Sequence, residues 1–259
     1  MAYKIVVDAG HGGEDPGAVN QGRKEKDDNL KIALELGKIL EQNGIDVVFT
    51  RTTDVYQTPF EKAQIANRAG ADYFISLHRN SSERNNQYNG VESLVYDKSG
   101  VKLDMAENIN GALGELGFKY LGVKERPGLV VLRRTNMPAV LVEMGFINSD
   151  EDNETFDKNE QAIAQAIADG ILGTLDELEA AKEQSDENSS EYRVQTGAFR
   201  QKRYADAMEY ELQNRGYDAY IVQENGYYKV QTGMFPKLAD AIMMERKLRK
   251  DGFQTFIVG

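Results

Sequence analysis

Only two histidines occur in the 259-residue chain, and both stand at the end of an apolar run. His11 follows "YKIVVDAG", and His78 closes "YFISLH". Cysteine is absent, which excludes disulfides, thiol catalysis and thiolate metal sites. A metal here must use imidazole and carboxylate, donors that suit zinc held by three protein ligands with one position open. Glycines 10, 12, 13 and 17 surround His11 and would let backbone and substrate approach closely. The bland alternative is a pair of unrelated polar residues in turns. A third ligand is sought in "GRKEKDDNL", where spacing alone leaves Glu25, Asp27 and Asp28 open. For Asp27 and Asp28 a solvated charge run before a helix, with Asp28 as a cap, is the simpler reading. Glu143 follows "PAVLV" and precedes "MGF". A carboxylate at the end of a buried strand is either paired or functional.

Competing chemistries lack their residues. No HExxH helix and no GxxxxGK[ST] loop is present. "HGG" looks like an oxyanion-hole glycine cluster, but GxSxG is missing, which argues against a serine hydrolase. "NSDEDNE" (148–154) lacks the twelve-residue calcium-loop pattern and reads as a solvated acidic loop, as "ERNNQYN" (83–89) reads as an exposed one.

The elements that would position these residues alternate. "YKIVVDA", "IDVVFTR", "DYFISLH", "GVESLVYD", "LVVLRR" and "AVLVEMGF" read as strands. "NLKIALELGKILEQNG", capped by Asp28 or Asn29, reads as a helix, as do "PFEKAQIANRAGA", "LDMAENINGALGELG" and "NEQAIAQAIADGILGTL". The pattern predicts an α/β domain over 1–175: a mainly parallel sheet with helices on both faces. Such sheets bind ligands at the carboxyl ends of their strands, where His11, His78 and Glu143 fall. The stretch 176–190, ending in "EQSDENSS", turns polar and acidic and is expected to be a flexible linker. Beyond it, "YRVQTGAF" (192–199) returns as "YKVQTGMF" (228–235), each followed by a helix and a strand pattern. The doubled β-α-β predicts a small α+β, ferredoxin-like βαββαβ unit over 191–259. In it Tyr192, Val194, Thr196, Tyr228, Val230 and Thr232 share one face, under the helices or open. Gln195, Gly197, Gln231 and Gly233 share the other.

Charge is uneven. Residues 192–259 hold 11 basic and 8 acidic side chains, and the remainder holds 20 and 34. A net charge of −11 argues against nucleic acid as a partner. No run of about 18 apolar residues could span a membrane. The start "MAYKIVVDAG" shows no signal peptide. The chain is therefore expected to be made in the cytoplasm.

In order, "DAGHGGEDPGA", "GRKEKDDNL", "ADYFISLHRN", "NGVES" and "VLRRTNMPAVLVEMGFINS" resemble the zinc-dependent N-acetylmuramoyl-L-alanine amidases of bacterial and phage cell-wall lysis. The resemblance covers about residues 3–175. Residues 191–259 resemble the SPOR domain, which binds peptidoglycan. The likeness implies zinc held by His11, Glu25 and His78, with Glu143 at the catalytic position. It implies peptidoglycan as partner, with the stem peptide at the catalytic site and the glycan strand at the SPOR domain. It also implies action on the cell wall, as a phage endolysin released through a holin or as a spore or mother-cell autolysin. Two positions depart from the family pattern: Pro59 and Lys62 stand where a leucine and an arginine are usual, and Arg79 replaces a small residue after the second histidine. Arg79 is expected to bear on which stem peptide is accepted. The alternatives are an inert wall-binding protein or a zinc exopeptidase or deacetylase of the same fold. All four chemical positions being filled argues for the amidase.

Overall fold

The run "KIVVDA" becomes strand β1 (Lys4–Ala9), with five of six residues buried, because strands flank it on both sides. The computed structural model describes residues 3–187 and 191–259. After β1 a short hairpin of β2 (Val19–Asn20) and β3 (Arg23–Lys24) leads into α1 (Glu25–Gln42). Then follow β4 (Asp46–Phe49), α2 (Pro59–Ala69), β5 (Tyr73–Asn80), β6 (Val91–Val95), α3 (Val101–Glu115) and β7 (Tyr120–Glu125). The first unit continues with α4 (Val130–Arg133), β8 (Ala139–Phe146), α5 (Asp150–Lys158) and α6 (Glu160–Glu187). Six strands form one sheet in the order β4-β1-β5-β8-β6-β7, parallel except where β6 meets β8.

Two apolar layers enclose this sheet. Ile5, Val7, Ile75 and Val142 face one way, onto Leu36, Ile109 and Ile167 of α1, α3 and α6. Val6, Phe74, Leu94 and Leu141 face the other way, onto Ala66 of α2 and Val131 of α4. The strict alternation follows from the two-residue period of a strand. Helix α2 is punctuated at both ends: Thr58 and Glu61 form a capping box, Pro59 opens the helix, and Gly70 closes it in the left-handed conformation.

Four expectations change. Helix α1 starts at Glu25 with Lys24 as its N-cap, not at Asp28 or Asn29, because Glu25 N–H already donates to Ala18 O at the hairpin base. "LVVLRR" contains the short helix α4 rather than a strand; its apolar residues Val131 and Leu132 bury on the α2 side, and the strand is "YLGVKE". "NSDEDNE" leads into helix α5, with Ser149 accepting from Asp152 N–H at its start. The expected linker over 176–190 is helical through Glu187, since Ala, Glu, Leu and Lys favour helix; residues 188–190 lie outside the described residues. Two compact units divide between Leu178 and Glu179.

The second unit runs β9 (Tyr192–Phe199), α7 (Lys202–Asn214), β10 (Ala219–Glu224), β11 (Tyr227–Phe235), α8 (Leu238–Lys250) and β12 (Phe256–Val258). Its sheet is antiparallel in the order β10-β11-β9-β12, which puts the two repeated strands side by side in the centre. Val194 and Val230 lie under the helices with Ala205, Leu212, Ala241 and Leu248. Gln195 and Gln231 take the opposite face, while irregularities after Val230 and Thr232 displace the glycines from that row.

Candidate metal centre

Three segments deliver three side chains to one point. His11 lies just past β1 with φ of 60°, and Gly10 N–H fixes this turn by donating to Leu77 O at 3.0 Å. His78 sits near the end of β5, the next strand over. Glu25 opens α1, and its carboxylate is aimed by three donors: Ala18 N–H at 2.9 Å, Arg79 N–H at 3.1 Å and Asn29 Nδ2 at 3.2 Å. His78 Nδ1 lies 2.8 Å from Glu25 Oε1, and His11 Nε2 lies 3.2 Å from Glu25 Oε2. One donor atom from each residue falls within 4.8 Å of the others. The space is tight: a Cβ at Gly10 would strike the His78 ring, and one at Gly17 would strike Glu25 and His11.

This donor set of two imidazoles and one carboxylate fits zinc. Burial opposes charge on His11, but Glu25 and then Asp15 override it and push the imidazole up to about 9. Burial opposes charge on Glu25 too, yet the two histidines hold its carboxyl far below the usual range. The cluster thus keeps a proton between its members, which a cation must displace on binding.

Asp27 and Asp28 stay outside the cluster. Asp27 is exposed, and Asp28 pairs with Arg23 Nε at 2.7 Å and Arg79 Nη1 at 2.6 Å. Arg79 does not line the cavity beside the histidines. It follows His78 in the strand, so its side chain points through the opposite face and is wholly buried.

Glu143 sits opposite His78 in the register of β8 against β5. Its Oε2 is buried and has no hydrogen-bond partner. Burial pushes this carboxyl up to about 7; Glu25 and Glu92 add to the shift, and His78 and His11 oppose it.

Two residues that sequence reasoning missed support the cluster. Asp15 Oδ2 lies 2.8 Å from His11 Nδ1, which leaves Nε2 to face Glu25. Its position four residues after His11 in the glycine-rich turn was the available signal. Glu92, inside "NGVES", is buried directly across from Glu143 and is held by Lys124 and by Asn80 Nδ2 at 3.0 Å. Beside the histidines lies a cavity of about 260 Å³, walled by Leu129, Val131 and Leu141 and floored by Lys62. Lys62 Nζ contacts Asp8 Oδ1 at 2.8 Å and Ala9 O at 2.6 Å; Thr50 and Ser76 complete the shell of Asp8.

An α/β sheet with a His-Glu-His cluster and a buried, unpaired carboxylate oxygen at its strand ends has the frame of a hydrolase domain with a candidate metal centre. Residues 5–173 match the family model described as N-acetylmuramoyl-L-alanine amidase, and residues 188–259 match the SPOR domain. A sporulation-specific N-acetylmuramoyl-L-alanine amidase of Bacillus subtilis (strain 168) is 34% identical over 223 residues, 85% of this chain and 84% of that protein. An endolysin of Bacillus phage SPP1 is 35% identical over 185 residues, 68% and 67% of the two chains. The crystal structure of an N-acetylmuramoyl-L-alanine amidase from Clostridium difficile 630 superposes with a TM-score of 0.64 at 34% identity, covering 68% of this chain and 97% of that one. The chain belongs to the N-acetylmuramoyl-L-alanine amidase family and carries a SPOR domain. Its activity is hydrolysis of an amide bond in peptidoglycan. Among the described residues no helix is long and apolar enough to cross a membrane.

Proposed function

We propose that His11, Glu25 and His78 hold one zinc ion and that Glu143 is the catalytic base in cleaving N-acetylmuramic acid from L-alanine. The observation carrying this reading is the convergence of the three donors beside a buried carboxylate oxygen with no partner. Bound there, zinc would supply Lewis acidity, lowering the pKa of water from about 15.7 toward 7 and polarising the scissile carbonyl. The carboxylate of Glu143 takes a proton from the attacking water and passes it to the nitrogen of the departing alanine. Asp15 fixes the His11 ring, and the donors on Glu25 fix its carboxylate, so little reorganisation is needed during the reaction. Leu129, Val131 and Leu141 offer the substrate an apolar wall beside the histidines.

The second unit, residues 191–259, is read as the glycan-binding part. Register places Phe256, Gln195, Gln231 and Tyr220 in one row across the sheet face turned away from the helices, where Phe256 is exposed, Tyr220 half-buried and the two glutamines buried between them. Gln231 Nε2 donates to Gln195 Oε1 at 3.3 Å, and Gln231 Oε1 has no partner. Two amides between two aromatic rings suit a neutral sugar chain better than a polyanion. Binding there raises the concentration of substrate near the catalytic unit. The site of action is the cell wall.

Metal analysis tests the assignment. The purified protein is expected to carry about one zinc per chain. Chelation should abolish release of alanine amino termini, and zinc should restore it. Full activity in exhaustively metal-free protein would rule the assignment out.

A further inference from the structure

Arg79 is the largest fully buried side chain among the described residues, and nothing in the proposed reaction uses it. It stands on the core face of β5, in the row of Ile75 and Leu77, where an apolar residue would be ordinary. Burying a guanidinium is costly unless every donor is matched. Here the matching is nearly complete. Nη1 donates to Asp28 Oδ2 at 2.6 Å, and Nη2 donates to Asn153 Oδ1 at 2.7 Å. Nε donates to Gly145 O at 3.3 Å, and Nη2 also reaches Phe146 O at 3.4 Å. The guanidinium carbon lies 4.2 Å over the Phe156 ring, a favourable cation–π geometry.

The positions of these partners carry the inference. Asp28 is one helical turn beyond Glu25, and Gly145 is two residues beyond Glu143. Arg79 itself adjoins His78, and its backbone N–H donates to Glu25 Oε1. The ladder between β5 and β8 becomes irregular between His78 and Asn80, where the Arg79 side chain bonds the Gly145 and Phe146 carbonyls. Such irregularities often re-aim side chains beside active sites.

We propose that Arg79 is a positioning residue: one buried guanidinium locks α1, β5 and β8 together so that Glu25, His78 and Glu143 keep their mutual geometry. It acts through the elements it ties, by the Asp28 carboxylate of α1, the Gly145 and Phe146 carbonyls of β8 and the α5 side chains that hold it, and never touches substrate. A fold that needed only stability would place leucine here; the guanidinium adds a fixed distance between the three elements. This inference rests on the zinc reading of the same site.

The test compares wild type, Arg79→Met, Arg79→Lys and Asp28→Asn. Zinc affinity is measured by chelator competition, and the visible spectrum of the cobalt-loaded protein reports ligand geometry. Thermal melting of metal-free protein and kcat and KM on a soluble muramyl peptide complete the set. Arg79→Met should weaken zinc binding and lower kcat, each by roughly 10- to 100-fold, the range for groups that orient metal ligands. KM should stay within about twofold, because the substrate walls are untouched. Arg79→Lys should recover part of both losses by restoring the arm to Asp28, and the cobalt spectrum of Asp28→Asn should shift. If Arg79→Met does not fold, Arg79→Lys and Asp28→Asn carry the decision. Variants that melt earlier yet keep wild-type zinc affinity, spectrum and kcat would show a purely structural arginine. Wild-type protein that binds no zinc would instead overturn the metal assignment.

Discussion

In the amidase unit charged side chains lie inside: Asp8, Glu25, Lys62, Arg79, Glu92 and Asp152 are all buried. In residues 191–259 the buried polar side chains described are all neutral: Gln195, Thr196, Gln231, Thr232 and Thr255. On the proposed function the difference tracks what each unit does. Around the proposed metal centre the buried charges are paired and fixed, Glu25 by its three donors and Asp8 by Lys62, so the geometry holds without reorganising as charge develops. Holding a neutral glycan needs hydrogen bonds and ring contacts, and a buried charge there would only add desolvation cost. Damage to the first unit should therefore be steep and specific, and damage to the second shallow and graded.

The steepest effect is expected at Glu143. Glu143→Gln keeps the shape and cannot accept a proton, so kcat should fall about 10²- to 10⁴-fold with zinc content unchanged. The sign of the pH effect follows from its burial. The carboxyl is pushed up to about 7, so the base form is lost as pH falls through that value, and kcat/KM should fall about tenfold per unit below it. A cation in the neighbouring cluster stabilises the carboxylate and moves this limb lower. Wild type should show the limb at or below pH 7, and Glu143→Gln should lack it. Near wild-type turnover in this variant would make Glu143 a structural carboxylate.

Next comes stability. Lys62→Met leaves Asp8 buried without its cation, and breaking such a pair costs about 3–5 kcal/mol. Urea unfolding should show the loss in the amidase unit, and Lys62→Arg should restore most of it. A cost below about 1 kcal/mol would mean the pair is solvated and the contrast between the units is overstated.

The smallest effects belong to the second unit. Gln195→Ala with Gln231→Ala should weaken co-sedimentation with sacculi several-fold, at about 1 kcal/mol per lost hydrogen bond. Hydrolysis of soluble muramyl peptides should not change. Deleting 179–259 should remove most of the sedimentation and again spare soluble substrate. Equal sedimentation of all three proteins across a salt series would exclude the sheet face away from the helices as the glycan site.

Much of this arrangement was legible in the chain. Two histidines at two strand ends, and a carboxylate at a third, follow from apolar runs and the strand period alone. The choice of Glu25 over Asp27 and Asp28 was not, because it depends on where α1 begins. The β2–β3 hairpin sets that start, and with it the helical phase that turns Glu25 toward the histidines. "LVVLRR" misled because a short apolar run buries equally well as one helical turn. Arg79 could have been placed correctly: the residue after a strand histidine faces the other side of the sheet. Its partners could not, since Gly145, Asn153 and Phe156 lie 66 to 77 positions away and meet it only in the folded chain.

Digestion of purified sacculi by the zinc-loaded full chain, followed by mass spectrometry, tests the central claim most directly. Free stem peptides with new L-alanine amino termini and intact glycan strands are expected, with His78→Ala giving neither product. Cleavage within the glycan or within the stem peptide, or full activity in His78→Ala, would contradict it.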